Sequence, residues 1–186
     1  MPSSSESRIP GRPSSDDVRE MVSRIVDGVI AGQDAPPPHP ESAPAERTDV
    51  SGIAIGADHG GYPLKERLAY RLREQGHDVL DCGTDSPAAV DYPDFAHAVA
   101  SAVAKGKAQW GIVVDGAGIG SAMVANKVPG IRAALCYDLS TARNSKEHNH
   151  ANVLTLGAGL IGENLAWQIV QEWLGTDWGG DRHARR

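Results

Sequence analysis

The hydrophobic rhythm of the chain changes twice. Between Asp16 and Ile30, the residues Val18, Met21, Val22, Ile25, Val26, Val29 and Ile30 recur at the i, i+3, i+4, i+7 spacing of an amphipathic helix. Arg19, Glu20, Arg24 and Asp27 fall on the other face. Ser14 followed by Asp17 fits a capping pattern, and acids in the first turn suit the helix dipole. On either side, Pro2 to Ser15 and Ala35-Pro-Pro-Pro-His-Pro40 carry no apolar period and are expected to be disordered. Beyond about residue 51, short apolar runs alternate with amphipathic segments as far as Leu174.

The runs predict strands at Ile53–Ala57, Asp78–Cys82, Gly111–Val114, Ile131–Cys136 and Asn152–Leu156. Helices are expected over Pro63–Gln75, Asp94–Lys105, Ser121–Val128, Ser140–Asn149 and Gly162–Leu174. Pro63 near the first helical position and Gly76 at the end frame the first of these. Such alternation implies a parallel sheet with helices on both faces, and right-handed crossovers make it a doubly wound, three-layer α/β sandwich of Rossmann-like type with five strands. The expected organisation is a disordered arm over residues 1–15, an amphipathic helix over 16–30, a proline-rich linker over 31–51 and a folded domain over 52–186.

A helix of about fifteen residues is marginal alone in water, so its apolar stripe needs a groove. Two readings stand. The helix folds back onto its own domain or a dimer partner, or it docks on another protein. The proline-rich linker behaves as a spacer and favours the second.

Charge and composition narrow the function. A net charge of -6 argues against general nucleic-acid or anionic-membrane binding. The two cysteines, Cys82 and Cys136, have neither metal spacing nor a disulfide framework and read as reduced thiols. No apolar stretch is long enough to span a bilayer, and no apolar core of a signal peptide follows the polar Met1 to Ser14. A cytoplasmic protein is expected.

The residues with chemistry cluster after strands: Asp58-His59 after the first, Asp91-Tyr92-Pro93 after the second, and Asp115 with Gly116-Ala-Gly-Ile-Gly120 after the third. The glycine loop opens a helix, so its bare amides suit a phosphate or an oxyanion. A carboxylate beside it suits proton abstraction next to a carbonyl. The loop lacks the spacing of a dinucleotide fingerprint, and strand–helix turns are also glycine-rich for steric reasons alone. His148-Asn149-His150 is the exception, because it ends a helix just before the fifth strand. That puts it at the opposite edge of the sheet, where a partner subunit could bring it to the site.

Gly56-Ala-Asp-His-Gly-Gly61, Asp91-Tyr-Pro93, the glycine loop with Ala125-Asn-Lys127, Gly130-Ile-Arg-Ala133, Glu147-His-Asn149 and Arg182-His-x-Arg-Arg186 occur in an order and spacing that identify a family. From Gly52 to Arg186 the chain resembles ribose-5-phosphate isomerase B and the galactose-6-phosphate isomerase subunits. The resemblance implies aldose–ketose isomerisation of a sugar phosphate through an enediolate, with no metal or organic cofactor. It implies a homodimer, often paired into a tetramer, with sites shared across the interface. By motif, Asp58 contacts the reacting sugar oxygens and His59 helps hold the phosphate. Tyr92 lines the pocket, and the amides from Gly116 through Gly118 to Gly120 stabilise the enediolate. From the neighbouring subunit, His148 assists ring opening with Asn149 beside it, while Arg182 and Arg186 grip the phosphate. Simpler roles stand beside these: His59 as a helix cap, His148 as a residue facing the helix dipole, Arg182 and Arg186 as tail charges. The arm resembles the encapsulation peptides that carry enzymes into bacterial microcompartments, which makes a shell protein the expected partner of residues 16–30.

Three departures matter. The family's proton-abstracting base is a cysteine at the position of Asp115 or a glutamate at that of Ser121, and this chain has neither. A loop hydroxyl is replaced by Ala117, and an arginine after the fifth strand by Gly159. Asp115 is then the expected base, with Asp58 and His148 completing the catalytic set. The alternatives are a catalytically silent sugar-phosphate binder and an isomerase of another phosphorylated sugar.

Overall fold

The computed structural model describes residues 14–31 and 51–185, with the side chains of 28–31 and 181 outside that description. The chain divides into two units, Met1–Arg47 and Thr48–Arg186. In the first, helix α1 spans Ser15–Ala31. Its start is a reciprocal cap in which the Asp17 amide donates to Ser14 Oγ (3.1 Å) and the Ser14 amide donates to Asp17 Oδ2 (2.9 Å). Val18, Met21, Val22, Ile25 and Val26 are all exposed, at 44–60%. The expected disordered arm and proline-rich linker lie almost wholly outside the described residues.

The second unit alternates strand and helix without interruption: β1 (Ile53–Ala57), α2 (Tyr62–Glu74), β2 (Val79–Asp81), α3 (Tyr92–Ala104), β3 (Trp110–Asp115), α4 (Ile119–Ala125), β4 (Ala133–Leu135), α5 (Leu139–Glu147), β5 (Val153–Gly157), α6 (Glu163–Gly175) and a short α7 (Asp181–Ala184). All strand pairs are parallel, in the order β2-β1-β3-β5-β4. Side chains alternate across each strand. Ile53, Ile55, Ala57, Ile112, Val114, Leu154 and Leu156 face a core built with α2, α5 and α6. Ala54, Val113 and Val153 face a second core against α3 and α4. This is the three-layer, doubly wound sandwich that the sequence predicts.

The strand order positions the site. From β1 the chain turns outward to β2, then crosses back to β3, so the carboxyl ends of β1 and β3 flank a switch point where a crevice opens. A second reversal places β5 between β3 and β4. Helix α5, which joins the parallel strands β4 and β5, runs back from their carboxyl ends to the opposite end of the sheet and stops there at His148, its C-cap.

Candidate active site

The switch point collects Asp58, His59, Tyr92, Asp115 and the glycine loop. Gly118 holds a left-handed φ of 78°, which bends the chain from β3 into α4. A side chain there would also strike Leu135, whose Cδ1 lies 2.4 Å from an ideal Cβ. Tyr92 lays its ring on Gly120, where an added Cβ would stand 2.6 Å from the ring. His59 Nδ1 lies 3.2 Å from both the amide nitrogen and the carbonyl oxygen of Val90, which ties the ring to the loop before α3.

Asp115 is 5% exposed and its carboxylate is committed to its own loop. The amides of Ala117 (2.8 Å) and Gly118 donate to Oδ1. Ser121 donates to Oδ2 through its amide (3.1 Å) and its hydroxyl, and Ser121 itself is fully buried. Four donors use the acceptor capacity of the two oxygens. The loop carbonyls are also held: Tyr137 donates its hydroxyl to Ala117 O (3.0 Å), and Thr155 donates to Gly118 O (2.9 Å). Among the described residues, no acceptor faces the amides of Gly116, Ile119 and Gly120. Two of the three glycines expected to offer amides to an oxyanion, Gly116 and Gly120, thus keep them free, whereas the Gly118 N–H is taken by Asp115.

Asp58 is the contrasting carboxylate. It is partly exposed, and its Oδ1 accepts from the Gly61 amide at 2.9 Å. A Cβ built on Gly60 would lie 3.4 Å from Asp58 Oδ1 and 3.9 Å from the Gly116 amide nitrogen. Because Gly60 has no side chain, the space between this carboxylate and an unpaired amide is open.

At the opposite end of the sheet, Asn126, Arg132, His148, Asn149, Trp178 and His183 line a hollow of about 540 Å³. His148 stacks on His183 (centroids 4.5 Å apart, 8° between planes), and Asn144 Nδ2 lies 2.8 Å from its Nδ1. His150, with a φ of 50°, stacks on Trp178 at 4.2 Å. Burial, followed by the charges of Arg132 and Lys146, lowers the His150 pKa from its usual value. Arg182 is exposed beside this group, with Nε 3.2 Å from His183 Nε2. Arg186 lies outside the described residues. One chain therefore carries the sequence-predicted residues in two groups, at opposite ends of its sheet.

Sequence reasoning missed Tyr137, Thr155 and Trp178. Thr155 had a visible signal, because it is the lone polar residue in an otherwise apolar strand. The other two are placed by loops with no local signature. Among the described residues, no cluster of three or more His, Cys, Asp or Glu side chains is placed to hold a metal ion, and no helix is long and apolar enough to cross a membrane.

A parallel sheet with free loop amides and a carboxylate at its switch point, and no dinucleotide fingerprint, defines an α/β enzyme for a small anionic substrate. A family model described as Ribose/Galactose Isomerase matches residues 53–186, and the chain belongs to that family. It is 44% identical to ribose-5-phosphate isomerase B of Escherichia coli (strain K12) over 134 residues, which are 72% of this chain and 90% of that protein. It is 43% identical to D-erythrulose-4-phosphate isomerase of Pectobacterium atrosepticum over 129 residues, covering 69% of this chain and 85% of the other. Ribose-5-phosphate isomerase B of Clostridium thermocellum superposes with a TM-score of 0.72 at 50% identity, over 73% of this chain and 91% of that one. The chain is a sugar-phosphate aldose–ketose isomerase, an intramolecular oxidoreductase.

Proposed function

We propose that the enzyme interconverts ribose 5-phosphate and ribulose 5-phosphate through an enediolate, as a homodimer whose sites are shared between subunits. The observation that carries this reading is the division of the site. Asp58, His59, Tyr92 and the free amides of Gly116 and Gly120 stand at one end of the sheet, and His148, Asn149 and Arg182 at the other. A twofold pairing that brings the two ends together completes the constellation. His148, poised by Asn144, then moves protons during ring opening, with Asn149 beside it. Arg182, joined by Arg186, meets the phosphate with His59, and a guanidinium suits that group by its bidentate donors. Subunits inactivated in opposite halves test this. Mixed dimers of Asp58→Asn and His148→Ala chains regain up to one intact site per dimer and recover activity that neither parent has. Verified mixed dimers without recovery refute a shared site.

A second reading has its own support. Gly159 stands where the family carries an arginine, which removes one phosphate or hydroxyl contact, and a relative 43% identical is named for a four-carbon sugar phosphate. On this reading the substrate is a different phosphorylated aldose or ketose. Turnover of a panel of four-, five- and six-carbon sugar phosphates decides between the two.

The arm adds a location. Residues 16–30 dock the enzyme on a shell protein of a bacterial microcompartment within the cytoplasm. The support is the exposed stripe of Val18, Met21, Val22, Ile25 and Val26 on a capped helix, followed by a proline-rich spacer.

A further inference from the structure

We infer that Asp58 is the base that takes the carbon-bound proton, and that Asp115 is a positioning residue that holds the anion-binding loop in shape. The inference rests on the isomerase reading and assigns its proton-transfer step.

A base must reach the substrate with a lone pair. Asp115 meets neither condition, because it is 5% exposed and both its oxygens accept two hydrogen bonds from Ala117, Gly118 and Ser121. Those same bonds bend the loop so that the amides of Gly116, Ile119 and Gly120 are left over. Ser121, the family's other base position, is fully buried and donates its hydroxyl to Asp115. The two positions from which the family draws its base have here become one internal hydrogen-bonded pair.

Asp58 meets both conditions. It follows β1 at the switch point, is partly exposed, and accepts one bond, on Oδ1 from Gly61, so that Oδ2 keeps its lone pairs. The space above Gly60 lies within 4 Å of both its Oδ1 and the Gly116 amide nitrogen. A carbonyl-bearing carbon seated there has a carboxylate on one side and an oxyanion donor on the other, the pairing that enolisation requires.

The step balances without a further reagent. Asp58 Oδ2 takes the proton from C2 of the open-chain aldose, and the C–H electron pair forms the C1–C2 double bond. The carbonyl pair moves onto O1, whose charge faces the free amides. After the O2 proton has passed to O1, Asp58 returns its proton to C1 and the carbonyl forms at C2. The reverse sequence regenerates the aldose.

Chemical rescue in the full-length enzyme separates a base from a positioning residue. Asp58→Asn keeps an oxygen for the Gly61 amide, and its kcat falls by about 10²–10⁴-fold with KM within about threefold of wild type, the usual scale for a proton-transfer group. Formate or acetate restores turnover to Asp58→Ala by about tenfold or more, rising with the basicity of the carboxylate. Asp115→Ala loses kcat and gains KM together, melts lower, and gains nothing from either carboxylate. If Asp58→Ala does not fold by circular dichroism, exchange of the C2 proton of bound ribose 5-phosphate into deuterated water by Asp58→Asn decides the matter. Exchange at the wild-type rate overturns the inference, and its loss supports it. Three other results overturn it: Asp58→Asn with kcat within tenfold of wild type, rescue of Asp115→Ala in place of Asp58→Ala, or loss at Asp58 without rescue in a folded variant. A wild-type enzyme silent on every phosphorylated sugar refutes the isomerase reading itself and removes this inference with it.

Discussion

Lys146 makes the stability of the folded domain depend on pH in a way that a single substitution isolates. Its side chain is 3% exposed, and its Nζ lies 3.1 Å from the centroid of the Trp110 ring and 4.5 Å from that of Trp173. Burial lowers its pKa from 10.5 to about 8, against a small opposing pull from Asp177. In the unfolded chain the amine keeps its ordinary value. Between about pH 8 and 10.5 the unfolded state therefore binds more protons than the folded one, and stability rises with pH across that window. Below pH 8 the cost of the buried cation is fully present. The difference of 10.5 minus about 8, or about 2.5 units, corresponds to at most about 3.4 kcal/mol at 1.36 kcal/mol per unit. The two indole faces attract the cation and offset part of that, by roughly 1 kcal/mol, so a net effect of about 2 kcal/mol is expected.

The assay is urea unfolding of wild type and Lys146→Met at fixed protein concentration and at pH 7, 8, 9 and 10. Methionine keeps the length and drops the charge. Other groups titrate in the same range. Burial holds the Cys82 and Cys136 thiols above their usual value, and Asp81 and Glu66 outweigh burial in raising Lys65. These work in the opposite direction, because their contributions fade as pH rises. They are common to both proteins and drop out of the difference. Relative to the variant, wild type should gain about 1.3 kcal/mol from pH 7 to 10, the part of the roughly 2 kcal/mol total that is realised below the unfolded pKa of 10.5. A difference that stays flat within about 0.5 kcal/mol refutes the reasoning.

Asp115→Ala leaves three amides and a buried hydroxyl without their acceptor, at roughly 1–3 kcal/mol per buried group before relaxation. A loss of about 3 kcal/mol, read as a fall in Tm of about 6–12 °C, is expected, and an unchanged Tm contradicts the four-bond description. Removal of residues 2–45 should leave Tm and kcat unchanged but abolish association with a protein shell. A reporter carrying residues 1–50 that stays diffuse in cells making the cognate shell rules out docking by the arm.

The rhythm of apolar residues determined the element sequence. The central strands β1, β3 and β5 are buried almost throughout and helices α2 to α6 each bury a stripe, so their burial is legible residue by residue. The alternation of Ile53, Ala54 and Ile55 between two cores is a local property of the pleat. The motif residues could also be read, because a glycine at 118 or 120 answers a local need for a left-handed turn or a close ring. The crossover rule supplied the doubly wound class.

Strand order and hydrogen-bond partners were decided only by the tertiary structure. Nothing in Val153–Gly157 states that it inserts between β3 and β4, and that insertion decides which strands α5 and His148 lie beside. The difference between the two aspartates was equally hidden. Both follow apolar strands and both precede glycines. The left-handed turn at Gly118 curls the loop amides and Ser121 onto Asp115, whereas Asp58 meets a single amide, that of Gly61. A carboxylate's availability depends on how many donors the surrounding backbone aims at it. That count is a property of three-dimensional loop geometry, which residue type and spacing do not contain.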